Sequence, residues 1–329
     1  MFVLLKKFLT LLRKSGLFSN KKGKVVVIET YGGLGNQILS LILGLYCRDV
    51  HNRSLRVDIT YLDEKHSPGF NFTSLIWNGE IEVHAPSSRG RAELYWKIMD
   101  SLSFRFLNFR KIETKCLGMY REIYWPLRSI EDLSTILKSH KLIRFRGFYF
   151  QKMFAEELRS RGLLDELRVV QPSKQYLDLE LERDSVQPIA IHIRRGDYTR
   201  DGFGQLSEDY YLKVVDNLAQ TPPRPLWIFA SSMEVVDELP ILKSFSSKIV
   251  TSETLENPAE SLALFSRCSI LVLSNSSFCY VSALFSDGEI YAPWPFSPKH
   301  SGLITHTQEL VRHHTIPHRW KVVESKWEQ

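Results

Sequence analysis

The residues best suited to chemistry in this chain are concentrated in the segment HIRRGDY at 192–198. The apolar residues 189–191 come directly before it and are typical of a buried strand, so the segment begins at the carboxyl end of that strand. Open α/β sheets bind their ligands at this end of the strands. Because guanidinium groups bind phosphate through paired hydrogen bonds, the segment predicts a site for an anionic group, with phosphate as the first candidate.

The alternation of side chains along a strand divides this segment between two faces. His192 and Arg194 share one face, and Arg195 points to the other. We expect Arg194 to reach a pyrophosphate and to stabilise it as a leaving group, with His192 beside it. Arg195 is a further candidate for nucleotide binding, and pairing with Asp197 or another acid is its alternative role. Asp197 is the candidate general base, unless it serves as a partner of Arg195 or Tyr198.

A glycine turn at 31–37 is the second candidate site, and it permits two interpretations. Gly33 and Gly35 precede an apolar helix, and Asp58 lies some twenty residues further on, as in the fingerprint of dinucleotide-binding proteins. Ile38 occupies the place of the third glycine of that fingerprint. The turn is therefore interpreted either as part of a ligand site or as a tight structural turn.

Amide and hydroxyl side chains stand at the start of two predicted helices. Asn36 and Gln37 do so after the glycine turn, where backbone N–H groups favour anions or hydroxyls. The segment LSNSSF at 273–278 ends a predicted buried strand and offers Ser hydroxyls and backbone N–H groups to phosphate or ribose, unless it only caps a helix. Its candidate binding residues are Asn275, Ser276, Ser277 and Phe278.

The elements around these segments predict two α/β domains that face each other across a cleft. Length alone favours about two domains, and we place a basic segment at 1–23, a first α/β domain at 24–170 and a second at 171–329. Alternating strands and helices predict parallel sheets. The predicted strands are 24–30, 55–60, 188–193, 225–231, 248–253, 269–275 and 290–293, the last closing the second sheet, and the predicted helices are 38–50, 207–220 and 258–268.

The charge of the chain is concentrated at its amino-terminal segment. The net charge is +6 over 329 residues, but residues 1–24 hold seven Lys and Arg and no acid, which leaves 36 basic against 37 acidic residues elsewhere. This distribution argues against nucleic acid as a partner. Apolar clusters interrupted by cations predict a helix at the membrane surface rather than a span, which needs about 20 apolar residues. Packing on protein is the alternative.

The sequence gives little support for a metal site. No D-x-D motif is present, although Mg²⁺ that bridges a diphosphate needs carboxylates beside the phosphates. Several His residues lie near the carboxyl terminus without Cys or acid at useful spacing: His306, His313, His314 and His318. We therefore expect no metal and no bound cofactor, so that positive side chains neutralise the phosphates.

Taken together, GGLGNQ at 32–37, HIRRGDY at 192–198 and SNSSF at 274–278 resemble the α-1,2-fucosyltransferase family, glycosyltransferase family 11. The segments SEDYYLKVV and ALFSRC add to this resemblance, which spans most of residues 24–296. It implies a GT-B-like fold of two facing Rossmann-like domains, GDP-fucose as donor, and inversion at the anomeric carbon without a divalent metal.

The resemblance also implies a role for each segment. Arg194 contacts the β-phosphate of GDP and His192 supports it, while the turn at 276–278 holds the nucleotide. Asn36 and the glycine turn line the cleft from the other domain. The acceptor is a glycan hydroxyl, with the 2-hydroxyl of galactose in a surface polysaccharide as our prediction.

Other functions remain open at the level of sequence. A transferase of the same fold for another nucleotide sugar fits the same motifs. An NAD-dependent oxidoreductase would use Gly33, Gly35 and Asp58, and a membrane-surface protein with a degenerate cleft would bind nucleotide without turnover. For the enzyme we predict a cytoplasmic location, peripheral on the inner face of a bacterial membrane, close to a lipid-linked acceptor.

Overall fold

The fold was determined from a computed structural model, which describes most of the chain in separate ranges. In the described ranges no helix is both long enough and apolar enough to cross a membrane. The basic segment at 1–23 lies outside them, so its predicted membrane contact stays a prediction. The described residues are 24–30, 32–59, 75–76, 83–84, 111–114, 119–123, 130–146, 152–164, 168–195, 204–218, 224–296 and 315–328.

Strands and helices alternate along much of the described chain. The strands are β1 (Val25–Glu29), β2 (Ser54–Asp58), β3 (Leu75–Ile76), β4 (Val83–His84), β5 (Lys111–Thr114), β6 (Met119–Ile123), β7 (Leu142–Arg146), β8 (Arg168–Val169), β9 (Ile189–His192), β10 (Leu226–Phe229), β11 (Ser246–Val250), β12 (Ile270–Val272), β13 (Glu289–Trp294) and β14 (Lys321–Glu324). The helices are α1 (Leu34–Asp49), α2 (Ile130–Ser139), α3 (Lys152–Ser160), α4 (Lys174–Val186), α5 (Glu208–Leu218), α6 (Met233–Asp237), α7 (Pro240–Phe245), α8 (Pro258–Ser266) and α9 (Ser277–Phe285).

The first large sheet has the strand order β4-β2-β1-β7-β6-β5. Its strands pair in parallel, except that the edge strand β5 is antiparallel to β6. Val26 and Ile28 of β1 are fully buried, as are Ile38 and Leu41 of α1. The sheet and this helix share one hydrophobic cluster, so burial of apolar side chains places the glycine turn at the carboxyl end of β1.

The second sheet is parallel throughout, with the strand order β11-β10-β9-β12-β13-β14. Numbered within the sheet, this order is 3-2-1-4-5-6, the order of the Rossmann fold. Every residue of β9, β10 and β12 is buried, because helices and loops cover both faces of a parallel sheet. The predicted fold class, α/β with Rossmann-like parallel sheets, is confirmed, and the facing arrangement of two domains stays a prediction.

The predicted elements agree with the structure except at the edge of the second sheet. We predicted that residues 290–293 form the closing strand, and this was wrong, because β14 pairs in parallel with β13 and lies outside it. The strand β14 has the short sequence KVVE, in which Val323 alone is buried, a pattern too brief to stand out in the sequence. The strands of the two sheets fall at 25–146 and 189–324. The proposed domain boundary near 170 stays a prediction.

The linker into α4 is fastened to the second sheet's helices by a buried carboxylate. Glu260, in the first turn of α8, accepts hydrogen bonds from the backbone N–H of Ser173 at 2.5 Å and from its hydroxyl at 2.9 Å. The Ser173 hydroxyl in turn caps α4 by accepting from the N–H of Tyr176. A single carboxylate therefore fixes the start of α4.

Replacing Glu260 by Ala is expected to destabilise the protein. The N–H and hydroxyl of the half-buried Ser173 would lose their acceptor, which costs about 1 kcal/mol, the lower end of the range for buried donors. Glu256→Ala is the matched control, because Glu256 is an exposed acid in the loop before the same helix. Urea unfolding measures both; equal midpoints would contradict the role of Glu260.

Candidate active site

The predicted anion site lies at the point where the strand order of the second sheet reverses. Strands β9 and β12 are neighbours, but β10 lies beyond β9 and β13 lies beyond β12, so the connections leave on opposite sides. The crevice at the carboxyl ends of two such strands is where Rossmann-like sheets bind nucleotides. The residues that follow β9 belong to HIRRGDY, and those that follow β12 belong to LSNSSF. The fold therefore brings together two segments that are some eighty residues apart.

A hydrogen bond joins the two segments across this crevice. His192 Nδ1 lies 2.8 Å from the hydroxyl oxygen of Ser274, and both side chains are buried. Burial, and then the charge of Arg194, lowers the pKa of His192 to about 3. His192 is therefore neutral near pH 7 and acts at the site as a hydrogen-bonding ring rather than as a cation.

The imidazole ring of His192 is also held by aromatic side chains. The ring of Phe278 stacks on it with 5.2 Å between centroids and 24° between planes. Phe265 contacts it edge-on from α8, at 6.0 Å. Arg194, two residues further along the same face, is partly buried, and its charge is close enough to shift the pKa of His192. The predicted neighbours His192, Arg194 and Phe278 thus lie together.

Arg195 points away from this group. It is 4% exposed, and its guanidinium forms an ion pair with the carboxylate of Glu328 and a second with Glu238. The two faces of the strand separate it from Arg194, as the alternation predicts. Because these carboxylates hold its guanidinium, we remove Arg195 from the nucleotide-binding residues and assign it to the alternative role, pairing with acids.

The segment after β12 forms the amino end of α9. Ser276 caps this helix, with its hydroxyl accepting from the N–H of Phe278 at 3.3 Å. The side-chain amide of Asn275 donates to the carbonyl of Gly204 at 3.0 Å, so this group fixes the loop before α5. Ser277 is half-buried at the same helix end. The two interpretations of the segment, helix cap and ligand site, are compatible, because a capped helix end also presents its N–H groups to an anion.

The glycine turn at the start of α1 is stabilised by a hydrogen bond from one of its own side chains. Gln37 is fully buried, and its amide donates to the carbonyl of Gly32 at 2.8 Å, so it stabilises the turn. Asn36 is half-buried at the helix start and Gly33 is exposed. Gly32 has a φ of 75°, a conformation that glycine adopts without strain.

Gly35 allows the glycine turn and the SNSSF segment to come into direct contact. A Cβ at Gly35 would lie 2.5 Å from the carbonyl carbon of Ser277 and 2.6 Å from the N of Phe278. The amino ends of α1 and α9 therefore touch backbone to backbone. Each helix end carries a partial positive charge, so their contact concentrates positive potential that an anion would neutralise.

The dinucleotide interpretation is not favoured by the surroundings of Asp58. Its carboxylate forms an ion pair with Arg144 of β7, on the other side of β1, and Arg144 also donates to Glu29 of β1 at 2.6 Å. The carboxylate that would hold a ribose in that interpretation is engaged within the sheet. Ile38, at the place of the third glycine, is fully buried in the core.

Some site residues were missed or cannot be placed. Ser274 and Phe265 orient His192, yet neither was predicted; the position of Ser274 inside LSNSSF was the available signal. Asp197 lies outside the described residues, so its role as base stays a prediction. In the described part of the chain, no three His, Cys, Asp or Glu residues group as metal ligands. His318, one of the four histidines considered, lies 3.0 Å from Lys152 Nζ through its Nε2.

Comparison with known proteins gives one family match. The sequence model for glycosyl transferase family 11 matches residues 115–295, more than half of the chain and most of the second sheet. None of the curated proteins matches the chain significantly.

Solved structures resemble the chain at low identity. A family 9 glycosyl transferase from Veillonella parvula is 13% identical, covers 93% of this chain and 88% of its own, and has a TM-score of 0.48. The fucosyltransferase NodZ from Bradyrhizobium is 16% identical, with 81% and 94% covered and a TM-score of 0.47. The ADP-heptose heptosyltransferase II of E. coli is 13% identical, with 91% and 90% covered and a TM-score of 0.45.

Substituting Gly35 by Ala is expected to destabilise the contact between the two turns. The added methyl group would meet rigid backbone, and overpacking of this kind costs about 1–3 kcal/mol. Gly33→Ala is the matched control, because a Cβ at that position meets no atom of the described residues within 4 Å. The free energy of unfolding of both variants decides the matter, and a similar loss at both positions would refute the close approach.

Proposed function

Because the chain belongs to glycosyltransferase family 11, a family of fucosyltransferases, we propose that it transfers L-fucose from GDP-fucose to a glycan hydroxyl with inversion at the anomeric carbon. The acceptor group in this proposal is the 2-hydroxyl of galactose. The observation that supports it most is the position of Arg194 and the SNSSF segment at the strand-order reversal of the second sheet. A nucleotide diphosphate fits that crevice by charge and by fold.

The diphosphate of the donor is proposed to bind between Arg194 and the touching ends of α1 and α9. Departure of GDP builds negative charge on its β-phosphate as the bond to the sugar breaks. Arg194 supplies a fixed cation and the helix ends supply oriented N–H groups, both in place before the reaction begins. In this proposal the cationic and backbone groups stabilise the diphosphate, and no divalent metal is required.

His192 contributes through its neutral imidazole in this mechanism. Its Nδ1 is engaged with Ser274, and Phe278 and Phe265 fix the ring plane. A neutral ring beside Arg194 avoids repulsion between two cations at the site. The acceptor hydroxyl attacks C1 of fucose in a single displacement and loses its proton to a base, for which Asp197 is the candidate.

The cellular setting is part of the same proposal. A basic amino-terminal segment would hold the enzyme on the inner face of a bacterial membrane, close to a lipid-linked glycan precursor. Its seven cations in residues 1–24, against near neutrality elsewhere, support this arrangement. Binding to anionic vesicles is the matching measurement.

The donor and the linkage are tested by incubating the protein with nucleotide sugars and galactose-terminated glycans. We expect turnover of GDP-fucose and an α-1,2 linkage in the product, established by NMR of the purified glycan. Turnover of a different nucleotide sugar would change the proposed donor and would leave the proposed mechanism unchanged. Nucleotide binding without transfer or hydrolysis, or thermal protection by NAD instead of GDP, would overturn the proposal.

Arg194→Ala is expected to lower kcat by about 10²–10³ while the protein stays folded, because a charge contact to the leaving group is lost. Arg224→Ala is the matched control. Arg224 is exposed, donates to Ser269, and lies before β10, at the amino end of the strands and away from the crevice. Steady-state kinetics and circular dichroism on both variants test this. Near-wild-type turnover by the Arg194 variant would remove Arg194 from the mechanism.

A further inference from the structure

The buried arginine of the HIRRGDY motif is held by the last elements of the sequence. Arg195 donates from Nη1 to Glu328 at 2.6 Å and from Nη2 to the other oxygen of the same carboxylate. Glu238 and the side chain of Gln205 accept from Nη1 at 3.1 and 3.3 Å, and the carbonyl of Leu206 lies 3.4 Å from Nη2. The two-point bond to Glu328 is the geometry of a strong charge-assisted pair.

The segment that carries Glu328 is itself fixed to the second sheet. The N–H of Ser325 donates to the carbonyl of Trp294 at 2.8 Å, directly after the pairing of β14 with β13. Trp327 forms an antiparallel bridge with Leu206, and the N–H of Glu328 donates to Gln205 at 2.9 Å. The carboxylate of Glu328 therefore reaches Arg195 from a backbone that is held to β13 at Ser325 and to residues 205–206 at Trp327 and Glu328.

Burial and the ion pair with Glu328 have opposite effects on the pKa of Arg195. Loss of water acts to lower that pKa, but the hydrogen bond and charge of Glu328, followed by the charge of Glu238, act against it, so that the pKa is raised. Glu238 is half exposed and binds one nitrogen, so water competes with it for the guanidinium. Removing the carboxylate of Glu328 would leave a buried cation with weaker partners.

We propose that Glu328 is a positioning residue for Arg194. Arg194 and Arg195 share a peptide bond and point to opposite faces, so the orientation of one side chain constrains the backbone of the other. By holding Arg195 on the face opposite to Arg194, Glu328 sets the direction in which Arg194 projects into the crevice. Glu328 lies outside residues 115–295, the part of the chain that the family model matches.

The test compares Glu328→Gln, which keeps the size and removes the charge, with Glu324→Gln. Glu324 belongs to the same segment, but its side chain is 80% exposed and lies 3.9 Å from Lys213. We expect kcat/KM with GDP-fucose to fall about tenfold in Glu328→Gln, the size of coupling found between neighbouring residues, and to stay unchanged in the control. This part of the proposal rests on the proposed function.

A double-mutant cycle separates positioning from general destabilisation. In an Arg194→Lys background, Glu328→Gln is expected to cost less than about twofold further, because the group that it positions is already replaced. Equal fold losses in both backgrounds would show that Glu328 acts on stability alone and would overturn the proposal, as would equal kinetics for Glu328→Gln and Glu324→Gln.

Hydrogen exchange keeps the inference testable if the proposed function fails. Should the wild-type chain neither bind GDP nor turn over GDP-fucose, the proposed function falls, and exchange at the amides of residues 193–195 then decides the positioning role. Glu328→Gln is expected to speed that exchange about tenfold relative to Glu324→Gln, since the pair no longer restrains the strand end. Unchanged exchange would overturn the positioning role independently of any substrate.

Discussion

The contact between the amino ends of α1 and α9 is the constraint on which the rest of the site depends. Gly35 permits the backbones to touch at Ser277, and this contact joins the first helix of one sheet to the helix that follows β12 of the other. Helix ends of like sign repel each other, so apolar packing behind them must offset that cost. One hydrophobic cluster runs from α1 into α9 and provides this packing.

From that contact the geometry of the crevice follows. The start of α9 places Phe278 against His192, and Ser274 completes the link from β12 back to β9. Arg194 then stands beside a neutral ring at the carboxyl edge of the sheet. Few of these groups would hold an anion alone. Their common location gives this family 11 glycosyltransferase a candidate anion site, which we propose binds the donor diphosphate.

Much of this arrangement could be predicted from the sequence. Buried parallel strands such as β9 and β12 read as short apolar runs, and the residues after them mark the ligand-binding edge. The strand order itself could not be predicted, because pairing between distant strands leaves no local pattern. For the same reason the pairing of Arg195 with Glu328 and the place of β14 were missed, and Gly35 was recognised as a turn residue without the helix that it contacts.

The distance along the chain between Arg195 and Glu328 has a consequence for how the protein is made. Because synthesis runs from the amino end, the motif arginine emerges 133 residues before the carboxylate that pairs with it. Until then its guanidinium lacks its two-point partner, and β14 has not yet covered β13. Closing so long a loop is slow compared with local folding. The ion pair that holds Arg195 can therefore form only after β14 and the segment that carries Glu328 have been synthesised.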